Sequence, residues 1–288
     1  MKTRFGNGGA EDDQQRLAVL IDADNAQPSV IAGLLAEVAK FGVASVKRIY
    51  GDFTSTHQTQ WKRELLRHSI SPVQQFAYTS GKNSTDSSLI IDAMDLMYTG
   101  RFNGFCLVSS DSDFTRLAQR LREEGLTVYG FGERKTPDAF VTACDKFIYT
   151  EVLRPEAPPT EGGSVVAGAA AVPARKVARS RSRNTPGGPS AAASVPAPST
   201  AAAGKSPGSA QLPMSLLRQA IEEASDDNGW ASLGTVGNYL NKIKPDFDPR
   251  LYGQKKLSDL FKHHPKQFKV EERGLPGSSS KSIFVKLA

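Results

Sequence analysis

Apolar and polar positions change their spacing repeatedly along the first half of the chain. Six short apolar runs are typical of buried strands and lie at 17–21, 43–50, 72–76, 105–108, 127–131 and 147–149. Between them, apolar residues recur at helical spacing over 28–40, 57–69, 86–99 and 113–124. Strands that alternate with helices of this length build βαβ units on a parallel sheet. We therefore expect an α/β domain with a doubly wound parallel sheet over residues 16–152.

The pattern disappears after this domain and returns at residue 212. Of the 57 residues in 155–211, 39 are Ala, Gly, Pro or Ser and none is aromatic. Such a segment cannot offset its ordering entropy by burial, so we expect a linker over 153–211 and, on similar grounds, a disordered tail over 1–15. The last part, 212–288, shows three amphipathic helices and two alternating strands, which form a winged-helix pattern. They lie at 214–224, 233–242, 255–263, 268–271 and 282–287.

Carboxylates follow two of the predicted strands directly. Asp22 ends the first strand, and Asp111 and Asp113 come just after the fourth. Right-handed crossovers in a doubly wound sheet give the strand order 3-2-1-4-5, which puts the ends of the first and fourth strands side by side. Asp86 begins the helix before the fourth strand, and Asp52 ends the second strand. Because carboxylates packed this closely repel one another, the sequence predicts a hard divalent cation such as Mg²⁺ or Mn²⁺ at this edge.

Each of these residues also has a simpler explanation. Asp is a favoured N-cap, so Asp86, Asp111 and Asp113 taken singly are explained as helix caps. Lys82, in the loop before Asp86, is either a phosphate contact or an ordinary solvated lysine. The convergence of several acids at one sheet edge favours a functional site, because such clusters concentrate there.

Charge and cysteine content narrow the picture further. Residues 1–154 carry 18 basic and 19 acidic side chains, whereas 155–288 carry 18 and 11. An acidic first domain joined to a basic second half suits a protein that binds polyanions. Two cysteines make no disulfide framework or zinc spacing, which is typical of a reducing compartment. With no apolar signal region and no run long enough to span a membrane, we expect a cytoplasmic protein.

Three segments of the first domain resemble, in order, the three motifs of NYN domains, the LabA-like branch of the PIN nuclease fold. They read Leu-Ala-Val-Leu-Ile-Asp22-Ala-Asp-Asn25, Gly81-Lys-Asn-Ser-Thr-Asp86-Ser-Ser-Leu-Ile-Ile-Asp92-Ala and Leu107-Val-Ser-Ser-Asp111-Ser-Asp113-Phe. The resemblance implies a PIN-like fold and a metal-dependent ribonuclease that uses Mg²⁺ or Mn²⁺.

The same resemblance assigns roles to individual residues. It places Asp22, Asp86 and Asp111 at the metal-ligand positions and Asp113 beside them as a further catalytic acid. Four residues would support the site: Asn25, Ser109, Asp24 and Asp52. Asp24 stands where many members of the family have glutamate, which keeps the charge but shortens its reach.

The C-terminal part resembles an OST-type helix-turn-helix, or LOTUS, domain. The likeness lies in Phe247-Asp-Pro-Arg-Leu-Tyr252-Gly253-Gln-Lys-Lys-Leu257-Ser-Asp-Leu260-Phe and in Pro265-Lys-Gln-Phe268. It implies binding of RNA or of a protein partner. Tyr252 either stacks on a base or packs in the core. The candidate phosphate contacts are Lys255, Lys256, Lys262 and Lys266.

Three functions therefore compete. The first is a ribonuclease whose tethered RNA-binding domain raises the concentration of substrate at the active site. The second is a non-catalytic RNA-binding or adaptor protein with a silent PIN-like domain. The third is a phosphatase of the haloacid-dehalogenase type, because Asp22-Ala-Asp24 at a strand end is also the opening motif of that family, with Asp22 as a covalent nucleophile.

Overall fold

The computed structural model describes residues 14–54, 59–76, 84–154, 211–274 and 281–288. The predicted tail over 1–15 and the predicted linker over 153–211 lie almost entirely outside the described residues. No helix in the described part of the chain is long and apolar enough to cross a membrane.

Six parallel strands form one sheet in the order β3-β2-β1-β4-β5-β6. The strands are β1 (Arg16–Asp22), β2 (Val43–Gly51), β3 (Ser71–Gln74), β4 (Gly104–Val108), β5 (Thr127–Gly132) and β6 (Lys146–Tyr149). The central strand β1 pairs with β2 on one side and β4 on the other, so that Ile21 lies between Ile49 and Val108. This topology confirms the predicted doubly wound α/β fold and the predicted order of the first five strands.

In the described part of this domain, five α-helices cover the two faces of the sheet. They are α1 (Ile31–Val38), α2 (Trp61–His68), α3 (Ser84–Tyr98), α4 (Thr115–Glu123) and α5 (Asp138–Ala143). Because successive strand residues point to opposite faces, Ala18 and Leu20 pack in the core beneath α3, α4 and α5. Leu17 and Val19 pack in the second core, beneath α1 and α2. Burial on both sides explains why β1 is apolar along almost its whole length.

Two helices differ from the sequence expectation. The helix predicted over 28–40 begins with a 3-10 turn at Pro28–Val30, and its α-helical part is Ile31–Val38. The helix α5 was not predicted, because six residues are too few to show helical periodicity. This helix nevertheless buries Phe140 against the sheet.

The C-terminal domain combines three helices with a three-stranded antiparallel sheet. Its helices are α6 (Met214–Ala224), α7 (Leu233–Ile243) and α8 (Leu257–Lys262). Its strands β7 (Ala231–Ser232), β8 (Phe268–Gly274) and β9 (Lys281–Leu287) lie in the order β7-β9-β8. Leu217, Leu240 and Phe261 share one core. The three helices and the β8–β9 pair match the predicted winged-helix pattern.

Gly132, the last residue of β5, offers a test of how tightly the sheet edge is packed. A Cβ at this position would lie 2.6 Å from the Ser109 carbonyl oxygen and 2.6 Å from Thr136 Oγ1. We expect Gly132→Ala to lower the free energy of unfolding by about 2 kcal/mol, because backbone at the end of β4 must move. Urea unfolding of the full chain measures this. Gly234→Ala, where an added Cβ would lie 4.0 Å from Ser232 Oγ, is the control and should not destabilise the protein. Equal losses in both variants would contradict tight packing at Gly132.

Candidate active site

Asp22 is the most deeply buried acid of the site. It ends β1 with no exposed surface, and three donors hold its carboxylate. The Ser109 hydroxyl and the Asn25 amide donate to Oδ2 at 2.8 and 2.7 Å, and the Asp24 backbone N–H donates to Oδ1 at 3.0 Å. Burial raises the pKa of Asp22, and the three hydrogen bonds act in the opposite direction. Asn25 and Ser109, which the resemblance named as supporting residues, therefore both contact this carboxylate.

The turn after β4 is built around the Ser109 side chain. Besides donating to Asp22, the Ser109 Oγ accepts the Asp111 backbone N–H at 3.1 Å. Asp111 in turn accepts the Asp113 N–H at 2.9 Å and caps the 3-10 turn Ser112–Phe114. The capping interpretation of Asp111 is thus correct, but the cap uses only its Oδ1, so it leaves capacity for a further interaction.

Asp86, Asp111 and Asp113 form a group that is able to hold a cation. Each offers one oxygen, and these three oxygens lie within 4.8 Å of one another. Asp86 stands in the first turn of α3 and is half-buried. Burial, together with the charges of Asp22, Asp111 and Asp113, raises the pKa of Asp86 to about 6. Three carboxylates in this arrangement fit the oxygen-rich ligand sets of Mg²⁺ and Mn²⁺.

The resemblance ranked these residues differently. It named Asp22 as a metal ligand and Asp113 as a further catalytic acid, whereas among the described residues the three-oxygen group contains Asp113 and not Asp22. The charge of Asp22 still acts on Asp86, and hydrogen-bond donors hold both oxygens of Asp22. Asp24 is exposed, and its charge also raises the Asp86 pKa.

Asp52, a further candidate, does not enter this group of described residues. The Thr54 hydroxyl and N–H and the Gln74 side chain donate to Asp52 Oδ1 at 2.5, 3.0 and 2.8 Å. These hydrogen bonds lower the pKa of Asp52 and give it a role in ordering the turn after β2. Lys82 lies outside the described residues.

A second polar cluster, on the body of α3, went unrecognised in the sequence. Asp92 accepts the Arg48 guanidinium at 2.7 Å and the Tyr50 hydroxyl at 2.9 Å, both through Oδ2. Tyr50 has no exposed surface, and its burial, followed by the bond to Asp92, raises its pKa. The cluster ties α3 to β2 six residues after Asp86. No periodic signal marks it, because Arg48 and Tyr50 alternate with apolar residues in a strand.

The candidate RNA contacts of the C-terminal domain are distributed over its surface. Lys255, Lys256, Lys262 and Lys266 are all exposed, as phosphate contacts must be. Lys262 also forms an ion pair with Glu272 at 3.1 Å. Tyr252 is half-buried and packs on Phe247, with ring centroids 5.8 Å apart. For Tyr252 the geometry favours core packing over base stacking.

Comparison with protein families agrees with the motifs. The family model of the NYN domain matches residues 16–152, and that of the OST-HTH/LOTUS domain matches residues 209–279. These matches confirm both resemblances and the PIN-like character of the first domain. A search of curated proteins finds no match to the chain.

Several solved structures resemble parts of the chain. An uncharacterized protein from Nitrosomonas europaea is 47% identical over 33% of this chain and 89% of its own, with a TM-score of 0.27. A protein from Chromobacterium violaceum is 34% identical over 28% and 87%, with a TM-score of 0.22. A protein of unknown function from Vibrio parahaemolyticus is 18% identical over 49% and 96%, with a TM-score of 0.41.

The raised pKa of Asp86 gives a test that needs no catalytic assay. Because the folded-state pKa of about 6 lies well above the ordinary pKa of an aspartate, ionised Asp86 destabilises the metal-free fold above pH 6. We expect Asp86→Asn to stabilise the metal-free protein at pH 7.5 by about 1 kcal/mol, after discounting for solvent screening, or about 3 °C in melting temperature.

The stability advantage of Asp86→Asn over the wild type should depend on pH in one direction. As the pH falls from 7 to 4, the folded wild type takes up a proton that the unfolded chain lacks, so its stability rises relative to the variant. The advantage of Asp86→Asn therefore shrinks towards zero over this range. Thermal unfolding in a chelator at several pH values measures it, and an advantage that grows on acidification would contradict the assignment.

Proposed function

With an NYN domain at residues 16–152 and an OST-HTH/LOTUS domain at residues 209–279, this chain is, we propose, a metal-dependent ribonuclease with an RNA-binding module. The observation that carries the proposal is the group of Asp86, Asp111 and Asp113 oxygens at the carboxyl edge of the sheet. In an open α/β sheet, ligands bind at this edge. The acids come from two separate places in the sequence, the first turn of α3 and the turn after β4, and packing alone does not require them to meet.

A divalent cation held by these carboxylates would activate water and stabilise negative charge on a phosphodiester. The protein supplies the position of the ligands. Asp111 keeps its place through the Ser109 hydroxyl and its own cap. Asp86 keeps its place because the Asp92 cluster fixes α3 against β2. With a pKa of about 6, Asp86 ionises readily at neutral pH once a cation offsets the charge of its neighbours.

In this proposal Asp22 supports the site from its buried position at the end of β1. Its two oxygens accept hydrogen bonds from three donors, and it has no exposed surface. A phosphatase of the haloacid-dehalogenase type needs its first aspartate free to attack phosphorus. The arrangement around Asp22 disfavours that function and suits an acid that orients Ser109 and Asn25.

RNA is the ligand that suits both domains, as the substrate of the first and the binding partner of the second. In this proposal the exposed lysines of the C-terminal domain contact phosphates and so bind RNA without reading its sequence. Binding should therefore weaken with salt, since each neutralised phosphate releases counterions. Mg²⁺ or Mn²⁺ is the cofactor, because carboxylate oxygens are hard ligands.

Asp111→Asn tests catalysis directly. Loss of one charged ligand should lower the rate of cleavage of a single-stranded RNA oligonucleotide roughly 100-fold or more in Mn²⁺ or Mg²⁺, while RNA affinity stays unchanged. The measurement is single-turnover cleavage together with filter binding.

Asp95→Asn is the matched control, since Asp95 is an exposed acid of the same helix as Asp86. It should cleave as the wild type does. If the wild type binds RNA but neither cleaves it nor gains thermal stability from the cation, the chain is instead a non-catalytic RNA-binding protein. Equal cleavage by wild type and Asp111→Asn would show that the site is wrongly assigned.

A further inference from the structure

In the C-terminal domain, the connection between α7 and α8 contacts the first domain, although a long stretch of chain separates the two domains in sequence. The segment 245–250 supplies these contacts, and β6 and α1 receive them. The described residues on both sides of the Ala/Gly/Pro/Ser-rich stretch belong to one compact unit. The hydrogen bonds and the burial at these contacts indicate whether the C-terminal domain is only joined by the linker or is held in place on the first domain.

The first contact covers an exposed sheet edge. β6 is the last strand of the sheet, and an edge strand presents unpaired backbone groups. The Phe147 N–H donates to the Pro245 carbonyl at 2.9 Å. Two residues on, the Tyr149 hydroxyl donates to Asp246 Oδ2 at 3.0 Å. The segment therefore satisfies one backbone N–H that the sheet leaves unpaired and one side-chain hydroxyl of the same strand.

The second contact is an ion pair across the two domains. The Arg250 guanidinium donates to both oxygens of Glu37, at 2.9 and 3.2 Å, in the two-pronged geometry that favours arginine over lysine. The same guanidinium also donates to Asp248, at 2.6 Å for the closest pair of atoms. Glu37 is only 6% exposed, so the carboxylate of this pair is largely withdrawn from water, whereas the Arg250 side chain stays partly exposed.

The carboxylate of Glu37 is matched by two basic side chains, Lys40 and Arg250. Burial acts to raise the pKa of Glu37, but hydrogen bonds from Lys40 and Arg250 outweigh it, and the pKa is lowered. Glu37 at the end of α1 would otherwise have only Lys40, at 2.8 Å, as a described partner. A buried carboxylate that is matched by an arginine 213 positions away indicates a built contact rather than a chance one.

We propose that β6 and α1 form a docking surface for the C-terminal domain, and that Arg250 is its anchor. The occupant is the segment 245–250 of the same chain. The two domains then act as one rigid body, and the linker connects them without holding them together. Docking holds the C-terminal domain at a set position relative to the acidic group. The proposal does not depend on nuclease activity.

The test cuts the linker in the folded full chain. A recognition sequence for a site-specific protease is inserted at residue 187, and size-exclusion chromatography follows the two fragments after cleavage at micromolar concentration. We expect the wild-type fragments to elute together. Fragments that separate would overturn the proposal.

Variants identify the anchor. Arg250→Ala should weaken the association of the fragments roughly 30-fold or more, because it removes both hydrogen bonds from Arg250 to Glu37 and leaves only Lys40 as a described partner of this carboxylate. Arg250→Lys should weaken it less, since the charge is kept and the two-pronged contact is lost. Arg218→Ala, which removes an exposed arginine of α6, is the matched control and should not change it. Equal affinities for Arg250→Ala and Arg218→Ala would overturn the role of Arg250.

Tyr149→Phe is a milder variant that tests the same surface if Arg250→Ala fails to fold. It removes one hydroxyl and with it the bond to Asp246, and it leaves the charges in place. We expect a measurable but smaller weakening of fragment association, with an unchanged circular dichroism spectrum. No weakening in either Tyr149→Phe or Arg250→Lys would contradict docking at this surface.

Discussion

The Ser109 hydroxyl joins the two strand ends on which the acidic site depends. It donates to Asp22 at the end of β1 and accepts the Asp111 N–H after β4. Since β1 and β4 are neighbours only because the sheet is doubly wound, this bond exists only in the folded topology. Buried polar groups need partners, and Ser109 and Asp22 satisfy each other. The site therefore rests on a hydrogen bond that also stabilises the sheet edge.

Repulsion among the acids is the cost of this arrangement. Burial and the charges of Asp22 and Asp111 raise the pKa of Asp86, so the fold disfavours the ionised form of this side chain. The Asp92 contacts with Arg48 and Tyr50 hold the middle of α3 against β2, and the first turn of the same helix presents the repelling carboxylate. A bound cation would reduce the repulsion among these acids.

Local pattern predicted the sheet, and through it the edge where the acids meet. The order of strands followed from apolar runs and from the handedness of crossovers, which are properties of short segments. The distribution of hydrogen bonds within the edge did not follow. Nothing in the spacing of Asp22 and Asp113 shows that one is held by three donors while the other joins Asp86 and Asp111. Side-chain geometry of this kind depends on atoms from several elements at once.

Contacts between distant segments were the least predictable. Arg250 lies in a motif of the C-terminal domain and Glu37 in an amphipathic helix of the first, and neither sequence context marks the other as its partner. The low-complexity composition between them suggested a flexible linker. The entropic cost of bringing two domains together through such a linker grows only slowly with its length. A specific contact adds orientation, which a flexible chain does not provide. If the two domains dock, the contacts at β6 and α1 set their relative orientation, and the linker has only to be long enough to join them.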